Sequence, residues 1–290
     1  MPDLQTQQVG ADIIIVSDNT VIGGQTGATL NVTAGVTDIN TKNLGLFRNT
    51  LEGLQSWSID AEQLYTEDDG AHLVGANGQA QIELTYNGQT EVVQGLDTLE
   101  LSLTATPDAV GALTDALWES NIIAGLEAEV SMSGSYFDPG ATTGAAYEML
   151  LSAQEARETL EATITFGNLV LEFDVRPGDW SLDAPGDQTR ASIDFTLPSE
   201  GTIVDSTAAG SLDAGWQGLI DAWFAPSKLL TRVELQEDYD GPRVEGSTYW
   251  EGDVWVTGLD VSATFGEPVD VSATLTGDGP LERKQEPQPE

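Results

Sequence analysis

Cysteine is absent from all 290 residues, so neither a disulfide nor a thiolate metal site can form. Histidine occurs once, as His72, which rules out a His-based triad, a zinc cluster or a paired-imidazole acid–base site within one chain. Basic residues are almost as scarce. Ten Lys and Arg stand against 48 Asp and Glu, a formal net charge of −38, and only Lys42, Lys228 and Lys284 are lysines. No basic patch is available to grip phosphates, which excludes nucleic-acid recognition by contact. Apolar runs reach at most five residues, glycine included, far short of a membrane-spanning helix, so no membrane anchor is expected. The N-terminal Met1-Pro2-Asp3-Leu4-Gln5 carries neither a basic nor an apolar signal region, and no secretory leader is expected.

The acidic excess has its own physical meaning. Like charges at this density oppose compaction in dilute solution. Screening shortens their reach from about 10 Å at 0.1 M salt to about 3 Å at 1 M. The composition therefore points to a protein of very salty surroundings. Hydrophobic residues make up 40% of the chain and fall into ordered patterns, which separates it from a disordered acidic tail.

What the chain does contain is alternation with period two, the mark of half-buried antiparallel strands. It runs through Trp57-Ile59-Ala61, Ile82-Leu84-Tyr86, Leu99-Leu101-Leu103 and Ala128-Val130-Met132. It returns in Leu169–Val175, Ile193–Leu197, Leu259–Ala263 and Val269–Leu275. Asn87-Gly88, Pro139-Gly140, Pro177-Gly178, Pro185-Gly186 and Asp240-Gly241-Pro242 read as turns between them. A helix is predicted over 213–225, where Trp216, Leu219, Ile220, Trp223 and Phe224 form one apolar stripe between an Asp213 N-cap and Pro226. A second is predicted over roughly 143–157, and a weaker one over 108–119 through Val110, Leu113, Leu117 and Trp118. The ends, 1–10 and 280–290, lack periodicity and read as frayed termini or arms that order on a neighbour.

The chain also repeats itself. Residues 28–66 lie without a gap over 99–137, with Leu30 on Leu101, Ile59 on Val130 and Tyr65 on Tyr136. Residues 147–166 lie over 216–235, and Phe195–Gly201 over Ala273–Gly279. The order is front, front, back, back, as if one domain sat in a loop of its duplicate. Duplicated modules tend to bury one type of interface, which favours a ring or tube.

Little here suggests catalysis. Glu67-Asp68-Asp69 and Glu237-Asp238-Tyr239-Asp240 lack the spacing of a calcium loop and read as solvated acidic loops. Gly23-Gly24-Gln25-Thr26-Gly27 has no lysine and no following helix, so it reads as a turn rather than a phosphate cradle. No cofactor or metal is expected.

Two stretches carry a family resemblance. The first joins Gln25–Val32, Asp38-Ile39-Asn40-Thr41-Lys42-Asn43 and Leu51-Glu52-Gly53-Leu54-Gln55-Ser56-Trp57-Ser58-Ile59. The second joins Tyr249–Leu259 to Val269–Leu281, which closes on Thr276-Gly277-Asp278-Gly279. In this order, residues 25–65 and 249–282 resemble the major tail tube proteins of long-tailed (siphovirus-like) viruses. The acidic composition points to a virus of a halophilic archaeon.

The resemblance implies a mainly β fold of two tail-tube-like β-sandwich modules, each with a flanking α-helix, one nested in the other. The expected division is 1–74 with 207–290 for the discontinuous module and 75–206 for the inserted one. It further implies a structural virion protein, made in the host cytoplasm, that assembles with itself and other tail proteins into stacked rings. DNA would pass through an acidic lumen without specific binding. Six modules from three chains would give a trimeric, pseudo-hexameric ring; the competing arrangement is a hexamer in which 75–206 is an outward decoration. The family's inter-ring loop falls on 37–50 and its echo on 108–121, which makes Asp38, Thr41, Lys42, Asn43 and Arg48 the inter-ring contact candidates. Lys42 and Arg48 are the only bases before Arg157. Two other readings stand beside this one. One is a secreted halophilic β-sandwich binding or surface-layer module; the other is a carboxylate glycan hydrolase using Trp250 and Trp255 as sugar platforms.

Overall fold

A computed structural model describes residues 13–17, 20–21, 25–39, 49–64, 79–110, 118–135, 144–183, 191–208, 212–235 and 248–285. The chain opens with β1 (Ile13–Ser17), β2 (Thr20–Val21), β3 (Gln25–Ile39) and β4 (Asn49–Leu64). Then come β5 (Ala80–Tyr86), β6 (Gln89–Val92), β7 (Leu96–Val110) and β8 (Ser120–Ser135). Helix α1 (Ala145–Ala156) leads to β9 (Leu160–Phe166), β10 (Leu169–Val175), β11 (Trp180–Asp183) and β12 (Ser192–Asp205). Helix α2 (Ala214–Phe224) leads to β13 (Leu229–Leu235), β14 (Thr248–Thr264) and β15 (Asp270–Gln285). The fold is mainly β: all fifteen strands join one antiparallel hydrogen-bonded sheet, with two helices among the described residues.

Every alternating segment of the sequence became a strand, because burying each second side chain satisfies the hydrophobic pattern and pairing satisfies the backbone. Along β10 and β12 the apolar positions Leu171, Phe173, Val175, Ile193, Phe195 and Leu197 are buried. Two strand paths run through the sheet. One is β3-β4-β15-β14-β13-β1-β2 and the other β7-β8-β12-β10-β9-β5-β6, and β14 joins them by pairing with β7. Leu30 faces Ile59 on the first path, and Leu101 faces Val130 on the second.

Both helices lie where the apolar stripes predict. Asp213 caps α2 by accepting from the backbone N–H groups of Gly215 at 3.0 Å and Trp216 at 3.3 Å. Its stripe, with Trp216, Leu219, Ile220 and Trp223 buried, packs on β14, β1 and β2. α1 buries Tyr147, Leu150 and Ala153 and packs on β5 and β6. It ends at Arg157 in the left-handed conformation, φ 58°, whose N–H reaches back to the carbonyls of Ala153 and Gln154.

Three expectations need correction. The helix predicted over 108–119 does not begin at 108: residues 108–110 continue β7, with Ala109 facing Asn121 and Val110 facing Ser120. Trp118 instead bridges to Gln55. At Val110 helical spacing lost to strand pairing, which a one-dimensional pattern does not register; 111–117 lie outside the described residues. Gln25-Thr26-Gly27, read as a turn, opens β3, with a register irregularity between Gln25 and Gly27. The polar tail from 280 is not frayed through Gln285, because β15 continues along β14 with Arg283 facing Trp250 and Lys284 facing Tyr249. Charge holds it there: Lys284 and Arg232 both bind Glu251, Arg232 Nε at 2.6 Å, and the Arg232 guanidinium lies 4.8 Å from the Tyr249 ring.

Candidate functional site

Strand alternation assembles one polar face across eight strands in the order β3-β4-β15-β14-β7-β8-β12-β11. The opposite face holds buried residues such as Ile59, Leu275, Leu259, Leu101, Val130 and Phe195. On the polar face stand the exposed carboxylates Asp60, Glu62, Asp270, Asp260, Glu100, Glu127, Glu129, Asp194 and Asp183. Among the described residues of these strands the one base in register with that face is Lys284, at the far end of β15, where it faces Tyr249 and pairs with Glu251 and Glu282.

These nine carboxylates do not face one another in register. Asp260 faces Ser102 and Ser272, Asp60 faces Thr29 and Thr274, and Glu100 faces Ser131 and Ser262. Hydroxyl and amide donors are drawn onto them. Ser102 Oγ donates to Asp260 at 2.6 Å, Ser181 Oγ to Asp194 at 2.9 Å and Asn31 Nδ2 to Asp60 at 2.8 Å. Two shallow depressions of about 360 and 390 Å³ share Asp260 and Ser262 and are lined otherwise by Ser, Thr and carboxylate groups with a few aliphatic edges. Such a surface offers negative charge and small hydroxyls, with no nucleophile–base pair and no anion grip.

Around one end of this face the strand paths are clamped by a buried carboxylate. Asp278 accepts from the Asn121 N–H at 2.5 Å and from Ser120 Oγ at 2.9 Å, and it pairs with Lys228. Burial works against ionisation here. Lys228, the Asn121 N–H and the Ser120 hydroxyl together outweigh it and hold the Asp278 carboxyl below its usual range. Nearby, Trp57 Nε1 donates to the Gly279 carbonyl at 3.0 Å, Asn121 Nδ2 to that of Gly277 at 3.0 Å, and Trp255 Nε1 to that of Asn121 at 3.0 Å. Trp255 also carries the Lys228 ammonium 5.7 Å from its ring centre, so its indole N–H and one face are engaged in the clamp.

A group whose folded pKa is depressed stabilises the fold above its unfolded pKa, about 4 for Asp, and loses that contribution as pH falls through the folded value. Asp278→Asn is expected to cost about 2 kcal/mol at neutral pH, the worth of a hydrogen bond to a charged group. That difference from the parent should shrink as pH drops below about 4. Denaturant unfolding at a series of pH values measures it; a gap constant with pH would show that the charge on Asp278 is not what ties the strands.

Of the inter-ring candidates, Asp38 lies in β3 opposite Thr50. Thr41, Lys42, Asn43 and Arg48 fall outside the described residues, as do His72, Glu67–Asp69 and Glu237–Asp240. Among the described residues no three Asp, Glu or His side chains are grouped to hold a metal ion, and no helix is long and apolar enough to cross a membrane. The carboxylate–hydroxyl face was partly legible in the sequence: the outward positions of the six alternating segments that lie in it hold Ser, Thr, Asp and Glu and no base, but nothing in the sequence says that they share one wall.

No protein-family model and no curated protein matches the chain. Solved structures do. A chain from the tail of an empty GTA particle is 20% identical, with a TM-score of 0.40, covering 45% of this chain and 98% of that one. A chain from the virion of a native gene transfer agent particle is 18% identical, with a TM-score of 0.39 and coverages of 45% and 98%. A chain from the baseplate of the anti-feeding prophage is 8% identical, with a TM-score of 0.35 and coverages of 44% and 94%.

Proposed function

We propose that this chain is a structural virion protein that assembles into stacked rings forming a viral tail tube, an acidic-lumen conduit for genome DNA. The observation that carries the reading is the eight-stranded polar face, whose nine exposed carboxylates have no base between them among the described residues, Lys284 lying beyond them at the end of β15. A wall of that kind repels phosphates, so a nucleic acid passes along it without sticking. The resemblance of residues 25–65 and 249–282 to major tail tube proteins supports the same reading.

The chain is organised as two modules, 1–74 with 207–290 and the nested 75–206. The matching order of the two strand paths favours this division. Three chains then supply six modules in a pseudo-hexameric ring. The segment 37–50, with Asp38, Thr41, Lys42, Asn43 and Arg48, contacts the next ring, where its two bases meet an acidic neighbour. The salt-adapted composition fits a virus of a halophilic archaeon.

Electron microscopy of the purified protein in molar salt tests this. Rings or tubes with three chains in end-on view are expected, and reversing the charges of Lys42 and Arg48 should leave rings that do not stack. Rings of six chains would remove the trimer and keep the tube. A reconstruction with Asp60 and Asp260 on the outer wall, or a strict monomer at every salt and protein concentration, would overturn the conduit.

A further inference from the structure

Inside the chain, β14 and β7 form an antiparallel seam between the two strand paths. Leu259 faces Leu103, Asp260 faces Ser102 and Val261 faces Leu101. The four aliphatic side chains of this seam are 1–2% exposed. Because the paths correspond strand for strand, each seam strand has a counterpart elsewhere. β3 stands to β4 as β7 stands to β8, with Leu30 facing Ile59 where Leu101 faces Val130. β11 stands to β12 as the second half of β14 stands to β15, with Trp180 facing Phe195 where Leu259 faces Ala273. Phe195 and Ala273 in turn face Met132 and Ala61, which keeps the correspondence in register.

Among the described residues β3 pairs only with β4, and β11 only with β12. The two counterparts are therefore the outer edges of the eight-stranded sheet, one at each end. Their side chains are the wrong kind for an edge facing water. Val32, the counterpart of Leu103, is 56% exposed; Trp180 and Leu182, the counterparts of Leu259 and Val261, are 44% and 47% exposed. Open edges bearing large apolar groups are sites of strand addition.

We propose that β11 of one copy pairs antiparallel with β3 of the next copy in the register of the internal seam. Trp180 then faces Val32, Ser181 faces Asn31 and Leu182 faces Leu30. Asp183 meets Thr29 and Asp179 meets Thr33, so no carboxylate faces a carboxylate across the joint. The two surfaces differ, so association runs head to tail and continues until it closes. That closure gives a ring rests on the tube reading; the contact itself rests on the internal seam.

The absence of cysteine makes the test clean. Opposed residues of an antiparallel pair have Cα atoms about 4.5–5.5 Å apart, within the span a disulfide bridges. In molar salt, the double variant Val32→Cys with Trp180→Cys is expected to oxidise into linked multimers on a denaturing gel. Val32→Cys with Ser181→Cys, whose side chains point to opposite faces, should stay unlinked. Leu182→Glu, at an exposed position, should keep the parent circular dichroism spectrum and sediment as a monomer. Rings by microscopy that never link at 32–180, or that persist in Leu182→Glu, would overturn the seam and leave the tube reading standing. A folded monomer with no link under any condition would overturn both.

Discussion

Moved from about 2 M salt into about 0.05 M, the protein is expected to lose its fold, and to regain it when salt is restored, because the Debye length passes from shorter to longer than the spacing of its charges. The geometry of the polar face sets that spacing. Directly opposite most of its carboxylates is a hydroxyl or an uncharged residue, as with Glu129 facing Ser102 and Glu62 facing Ser272, and the exceptions, Asp253 with Asp278 and Glu251 with Glu282, carry Lys228 and Lys284. Like charges instead meet on diagonals such as Glu100 with Asp260 and with Glu129, where antiparallel neighbours lie about 7–8 Å apart. At 1 M salt the screening length of about 3 Å is well inside that distance, and at 0.1 M its value of about 10 Å is beyond it. The formal charge of −38 multiplies the effect over the whole surface. Circular dichroism across a sodium chloride series, repeated with sucrose in place of salt, separates screening from osmotic stabilisation. Equal melting temperatures at both ends of the salt series would refute the account.

Replacing Gly277 with alanine is expected to cost about 3 kcal/mol, the upper end of the ordinary range for overpacking a core. Trp57 is 3% exposed, and its indole lies directly on two backbone positions that lack side chains. A Cβ at Gly277 would land on the indole's fused atoms and one at Gly252 would press its outer edge, so the ring is held close against both backbone positions. Trp57→Ala should cost about 3–5 kcal/mol through the cavity it leaves, and it also strips the Gly279 carbonyl of its donor. The double variant should lose less than the two single losses combined, since the alanine methyl enters space the indole has vacated. The other strand path shows how the same place is filled differently: Ala128 occupies the position matching Trp57, and its N–H donates to Ser199 Oγ at 2.9 Å. Denaturant unfolding of the three variants in molar salt gives the cycle; a Gly277→Ala protein as stable as the parent would show that the indole shifts freely.

Strand positions were legible because alternation is a local property. Leu169-Leu171-Phe173-Val175 has no other way to bury its apolar side chains than as β10. The stripe of α2 was legible for the same reason, together with the cap at Asp213. Where the local pattern was ambiguous, pairing decided. Val110 carried helical spacing with Leu113 and Leu117 yet joined β7, because Ser120 lay opposite to complete the ladder. The segment 280–285 had no pattern of its own and was ordered by Glu251, Arg232 and the edge of β14. The clamp at Asp278 was not legible at all. Its donors Ser120 and Asn121 are more than 150 residues away along the chain, and no spacing rule reaches that far.

By itself, then, the sequence determined the strand-rich class, the two helices, the echo between its halves and the excess of negative charge. Each follows from residue type and short-range periodicity, which act before any distant contact forms. Tertiary structure alone decided which outward-facing residues share one wall, which strand edges are joined within the chain and which are left open. Those are consequences of strand order, and strand order is chosen by the sum of long-range pairings rather than by any one segment. Leu103 and Val32 make the difference concrete. Both are aliphatic and occupy matching places in the echo, yet one is buried and the other exposed because only the first has a strand on each side within its own chain.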